Sequence, residues 1–166
     1  MLCDRVLRNL HDAGLLAPAQ RSPDLIDVHW HEAGLRALRK TTRGGVPLRI
    51  LLPLGVALRH GDVLFEDATS LVAVEIIPTE VLVIRPRTPA EMANLALEVG
   101  NLHAPAQATE AGELLVIPDG PVEAILWRMD VPHTLDVRRF TPLAVDAMPA
   151  MGLSGAFKIG MNDNVR

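Results

Sequence analysis

The feature that most constrains this chain is a change of hydrophobic period at Ile77-Pro78-Thr79. Before it, short apolar stretches alternate at the period of two expected of half-buried strands. After it, two segments carry apolar stripes at helical spacing between further strands. The upstream signals are Ile26, Val28 and Trp30 alternating with Asp27, His29 and His31, then a Gly44-Gly45 turn and a strand from Pro47 to Leu52. A tight turn over Leu58–Asp62 with Gly61 at its permissive position follows, and then strands Val63–Glu66 and Leu71–Ile77. Short strands at this spacing, with Gly and Asp turns, predict a small all-β sandwich or barrel.

Downstream the order is strand Glu80–Arg85, helix Pro89–Leu102, an extended piece Ala104–Ala108, strand Glu113–Ile117, a helix opened by Pro118–Pro121, and strand Thr134–Phe140. This β-α-β-β-α-β order is the ferredoxin-like split motif. The expected fold class is therefore α+β. Residues 1–78 form a β-rich domain, 79–145 a ferredoxin-like domain, and 146–166 a weakly ordered tail. The tail is rich in Met and Gly and loses all periodicity.

The first helix is the best specified. Thr88 caps it, Pro89 suits its first position, and Glu91 completes a capping box. Met92, Leu95, Ala96, Val99 and Leu102 form one stripe, Val122, Ile125, Leu126 and Met129 another on the second helix. Gly100-Asn101 predicts a left-handed stop. Directly after it comes His103, either a packed core histidine or a metal ligand. Neutral imidazole suits nickel, copper and zinc, and binds them only when unprotonated. One imidazole is not a site, because such metals take about four or more ligands. A ligand role for His103 therefore demands further groups or a second copy of the chain, which a two-fold dimer supplies.

Other candidates carry simpler alternatives. His29 and His31 share a strand face with Asp27, an acceptable metal geometry, but no further ligand follows at short spacing and a solvated face opposite Ile26, Val28 and Trp30 explains them better. Arg36, Arg39, Lys40 and Arg43 form a basic run, suited either to an acidic partner or to protecting a strand edge. Ser22, Ser70 and Ser154 lack any activating turn signature, and no Gly-rich phosphate loop or HExxH motif is present. With 3% aromatic residues and a net charge of −4, nucleic-acid binding is not expected. One cysteine, Cys3, excludes an intrachain disulfide and a CxxC zinc site. The longest apolar run, Ile50–Leu58, is broken by Pro53 and Gly55, and Asp4 and Arg5 interrupt any secretory leader. A soluble cytoplasmic protein without membrane association is the expectation.

Several segments resemble one known family. Gly100-Asn101-Leu102-His103, after a helix in a split βαββαβ unit, resembles the GNRH motif of the urease accessory protein UreE family. His31-Glu32-Ala33 with Leu38–Gly44 is similar to that family's HEA…LRKTTRSG segment, and Leu52-Pro53 with Leu58–Leu64 to its LPRG…LRDGDVL segment. Phe140-Thr141-Pro142 resembles an FEPE stretch near its C-terminal end. The resemblance spans roughly residues 1 to 145 and keeps the order of the segments.

It implies a nickel metallochaperone, not an enzyme, that delivers Ni²⁺ during urease active-site assembly, with Zn²⁺ or Cu²⁺ as in vitro substitutes. It also implies a homodimer, with a tetramer as a further option. His103 of both subunits then holds a shared ion, with His133 as an auxiliary candidate. By the same resemblance residues 1–78 are a peptide- or partner-binding domain and residues 79–145 the metal-binding and dimerisation domain, and the implied partners are the urease accessory GTPase and the urease apoprotein complex. The sequence departs from the family at Leu102, where Arg is usual, and in a tail, Gly152–Arg166, that carries no histidine. Those departures support an alternative, a scaffold of the assembly complex without specific metal binding.

Overall fold

The computed structural model describes residues 1–12 and 22–142; the tail expected at 146–166 lies outside them. Among the described residues, eleven strands in three sheets and two helices make a mixed α+β fold. Strands β1 (Leu2–Cys3), β4 (Ala37–Thr41) and β5 (Pro47–Leu51) form one sheet in the order β1-β5-β4. Strands β2 (Arg8–Asn9), β3 (Asp24–Val28), β6 (Asp62–Glu66) and β7 (Leu71–Ile76) form a second, ordered β2-β6-β7-β3. Leu38, Leu48 and Ile50 from the first sheet and Ile26, Val28, Val72 and Val74 from the second share one aliphatic core, so the two sheets pack face to face. Sequence periodicity does not reveal two of the pairings, β1 with β5 and β3 with β7, because both are parallel and long-range.

Strand β3 ends at Val28, short of the stretch to His31 that alternation predicts. The chain turns there: Glu32 N–H donates to the His29 carbonyl at 2.9 Å, and the His29 N–H donates to the Glu32 carboxylate at 2.9 Å. Strand β4 carries part of the basic run, and its charged residues hide its extended pattern in the sequence. Gly61, at φ 83°, serves the turn expected of it.

The C-terminal half follows the predicted element order: β8 (Thr79–Ile84), α1 (Pro89–Asn101), β9 (Ala106–Ala108), β10 (Leu114–Val116), α2 (Gly120–Met129) and β11 (His133–Arg138). Its sheet runs β11-β8-β10-β9 with every pair antiparallel, the arrangement of the split motif. One sheet face packs on both helices, through Leu82, Ile84, Leu114 and Val116 against Leu95, Val99, Val122 and Leu126. The other face, through Val81, Val83 and Leu115, packs on Phe140 and Trp30. Trp30 meets Phe140 edge-on at 5.3 Å, and Arg139 bonds Glu75 of β7 at 2.9 Å. The two halves therefore touch through both an aromatic and an ionic contact.

Helix α1 starts as expected, with the Thr88 hydroxyl accepting from the Glu91 N–H at 3.1 Å. The return bond differs from a capping box: the Glu91 carboxylate accepts from the N–H of Arg87, not of Thr88. The apolar stripe is also narrower than the sequence suggests. Leu95 and Val99 are buried and Met92 packs at their edge, but Ala96 and Leu102 are exposed.

Candidate metal centre

The left-handed stop of α1 is displaced from its expected place. Gly100 and Asn101 remain helical, Leu102 caps the helix in a right-handed conformation, and the left-handed residue is His103, at φ 54°. The His103 N–H donates to the Gly100 carbonyl at 2.9 Å, and the Ala104 N–H to the Val99 carbonyl at 3.3 Å. These are the two bonds of a Schellman ending, in which glycine is the usual left-handed residue. An L-residue pays roughly 1–2 kcal/mol for that backbone. Histidine tolerates it better than most, yet it remains an uncommon choice.

The His103 side chain is exposed, not packed in the core, and makes no hydrogen bond among the described residues. Among the described residues nothing occupies either ring nitrogen. The ring borders a cleft of about 440 Å³ lined chiefly by Trp30, Val99, Gly100, Ala104, Leu114 and Pro142. An imidazole at the rim of an apolar cleft has the chemistry to bind a metal, but no companion ligand stands beside it among the described residues. No group of three or more His, Cys, Asp or Glu side chains converges as a metal site among the described residues.

His133 lies elsewhere. Strand β11 pairs His133 with Ile84 and Arg138 with Thr79. Helix α1 leaves the Ile84 end of β8 and runs back, releasing His103 toward the Thr79 end, beside Trp30 and Pro142. The two imidazoles thus sit at opposite ends of the sheet and share no site within one chain. His133 Nδ1 lies 2.9 Å from the Val131 carbonyl, and its ring meets Trp127 edge-on at 6.1 Å.

His29 and His31 are brought together by a turn rather than by a strand face. Their rings stack at 5.4 Å, and Asp27, the third member of that candidate, is bonded to Arg43 at 2.6 Å. The basic run also divides. Lys40 is held by Glu32 at 2.5 Å and Arg43 by Asp27, whereas Arg36 and Arg39 have no ion-pair partner among the described residues. The Glu32 carboxyl sits below the usual range, because its bonds to Lys40 and the His29 N–H outweigh its partial burial.

A histidine group absent from the sequence reading is His11 with His60, stacked at 5.0 Å. The His60 Nδ1 is buried without a hydrogen bond. Burial first, and then the Arg139 guanidinium, push the His60 imidazole below its ordinary pKa. Glu75, 3.6 Å from His60, pulls the other way but is already bound to Arg139 at 2.9 Å. These residues lie far apart in sequence, so no local signal could have grouped them.

The fold and site define an α+β protein with a two-sheet β unit, a βαββαβ unit and isolated imidazole donors. Among the described residues, no helix is long and apolar enough to cross a membrane. A family model described as the N-terminal domain of the UreE urease accessory protein matches residues 3–77. The urease accessory protein UreE of Acetivibrio thermocellus is 31% identical over 144 residues, covering 86% of this chain and 92% of that one. The Staphylococcus carnosus UreE is 38% identical over 141 residues, 84% of this chain and 91% of that one. The Helicobacter bizzozeronii UreE is 42% identical over 106 residues, and the chain spans only 58% of its length. The chain belongs to the UreE family of urease accessory proteins, and is an accessory protein rather than an enzyme.

Proposed function

We propose that this protein is a cytoplasmic nickel metallochaperone that delivers Ni²⁺ during urease active-site assembly. His103 of each chain in a homodimer holds one shared ion. The observation that carries this reading is the left-handed, unbonded, exposed His103 at the end of α1. A histidine kept where glycine fits best has a reason outside local folding. With no second or third ligand converging among the described residues, a two-fold partner is the simplest source of another imidazole. Water or a recipient protein completes the coordination, and such an open site releases its ion as a delivery protein must.

In this reading residues 1–78 hold a partner of the assembly complex, which includes the accessory GTPase and apo-urease, and residues 79–145 dimerise and bind metal. Titration of Ni²⁺ into wild-type and His103→Ala protein tests it. One ion per two chains, lost in the variant, is expected; unchanged affinity and stoichiometry in the variant would overturn the assignment. One observation favours a second reading, a scaffold without specific metal binding: Leu102, in place of the family's Arg, is 41% exposed beside the site and offers no polar group. Nickel affinity at the micromolar level or tighter would count against that reading.

A further inference from the structure

The sheet β1-β5-β4 buries one face in the core and leaves the other bare. Leu38, Leu48 and Ile50 point inward; Ala37, Arg39 and Thr41 of β4, with Pro47, Arg49 and Leu51 of β5, line the exposed face. In the register, Arg39 stands directly opposite Arg49. The ladder bonds show which class of pair this is. Leu52 N–H donates to the Arg36 carbonyl at 2.8 Å and Thr42 N–H to the Val46 carbonyl at 2.9 Å, so even-numbered residues of β4 bond toward β5. Arg49 N–H instead donates away, to the Met1 carbonyl at 2.9 Å. Arg39 and Arg49 are therefore a non-hydrogen-bonded pair, the class whose side chains stand closest, with Cα atoms roughly 4.5 Å apart.

Like charges in that position oppose sheet formation. Among the described residues neither guanidinium has an ion pair or side-chain hydrogen bond, although Lys40 and Arg43 beside them each hold a carboxylate. The pair also has recesses on either side. One, of about 640 Å³, lies against Met1, Thr41 and Pro47; the other, of about 230 Å³, lies against Leu2, Ala37 and Leu51. Leu2 is 66% exposed and Leu51 48%, so apolar contacts flank the charge.

We infer that this face docks an acidic, extended segment of a protein partner, with a carboxylate held between the Arg39 and Arg49 guanidiniums. Two adjacent guanidinium forks match a carboxylate's paired oxygens, and the ligand removes the repulsion that the free sheet carries. A strand-like segment puts alternate side chains on one side, so carboxylates and apolar groups both find matching places. Nucleic acid fits the face poorly. The face presents no aromatic ring on which a base could stack. The inference rests on the partner-holding role proposed for residues 1–78 and is independent of His103 and of nickel.

The test uses the full chain and a fluorescein-labelled peptide of alternating Glu and Val, followed by anisotropy at low and high salt. Binding that weakens with salt is expected, with affinity falling at least about tenfold in the Arg39→Gln, Arg49→Gln double variant. Arg43→Gln, whose native side chain is already engaged, should bind as wild type. The double variant should melt at the same temperature or higher, since it loses a like-charge pair; this separates a lost ligand contact from a lost fold. Equal binding by the double variant, equal binding of a Gln–Val peptide, or tighter binding of oligothymidylate through the same arginines would each overturn the proposal.

Discussion

Helices α1 and α2 end in the same way and for different reasons. Each stops on a left-handed L-residue, His103 at φ 54° and Asp130 at φ 51°, and no other non-glycine residue among those described has positive φ. The bonds correspond one to one. Asp130 N–H donates to Trp127 and Val131 N–H to Leu126, as His103 donates to Gly100 and Ala104 to Val99. At α2 the neighbourhood accounts for the choice. Aspartate tolerates the left-handed region, and the Arg87 guanidinium donates to the Asp130 carbonyl at 2.6 Å and reaches its carboxylate at 3.4 Å. A cation there also answers the negative end of the helix dipole. At α1 no described residue plays that part for His103. Two equal backbones, one explained locally and one not, point to a role for the second that lies outside the chain.

That comparison can be broken at several levels. Both endings rest on one core, so Leu95→Ala in α1 and Leu126→Ala in α2 should each cost about 2–5 kcal/mol in urea unfolding. A single transition in both variants is expected; separate transitions would mean the helices do not share a folding unit. Next in size, His103→Gly and Asp130→Gly should each gain up to about 1 kcal/mol. That is the left-handed cost less the freedom glycine adds to the unfolded chain. Nickel binding should vanish in the first and persist in the second. Equal binding by both variants would remove the distinction drawn between the two ends.

Of the two helix endings, Arg87→Ala should loosen only that of α2, by less than about 1 kcal/mol because the Arg87–Asp130 pair is exposed. Amide exchange at Asp130 and Val131 should rise while His103 and Ala104 stay unchanged.

His60 offers a pH test apart from both helices. Its folded pKa lies below the ordinary imidazole value, so the unfolded chain takes up a proton first on acidification. Stability should therefore fall as pH drops from the unfolded imidazole value toward the lowered folded one. His60→Gln should flatten that part of the profile, and an unchanged slope would show that another group governs it.

Much of the C-terminal half was legible because its signals are local. The Thr88 cap, Pro89, the period-3.6 stripes and the intervening strands fixed element order, and order alone specifies the split topology. The misjudged details depend on bonds that local propensity cannot weigh. Gly100 and Asn101 favour a left-handed stop, but the helix ladder continues through both and transfers that conformation to His103. The alternation through Trp30 looked like strand, but Glu32 bonds back to His29 and turns the chain. In β4, Arg39 and Lys40 masked an extended segment whose partner strand is set by pairing, not composition. Of the candidate site, the sequence singled out His103; its exposure, and the placing of His133 at the far end of the sheet, follow only from the register.

In the proposed function His103 is half of a site shared by two chains. The most direct measurement is a crystal structure of the nickel-loaded protein. One ion on a two-fold axis, bound by the His103 imidazoles of two chains, is the expected result. An ion held within a single chain, or on His133, His29 or His60 with His103 free, would contradict it.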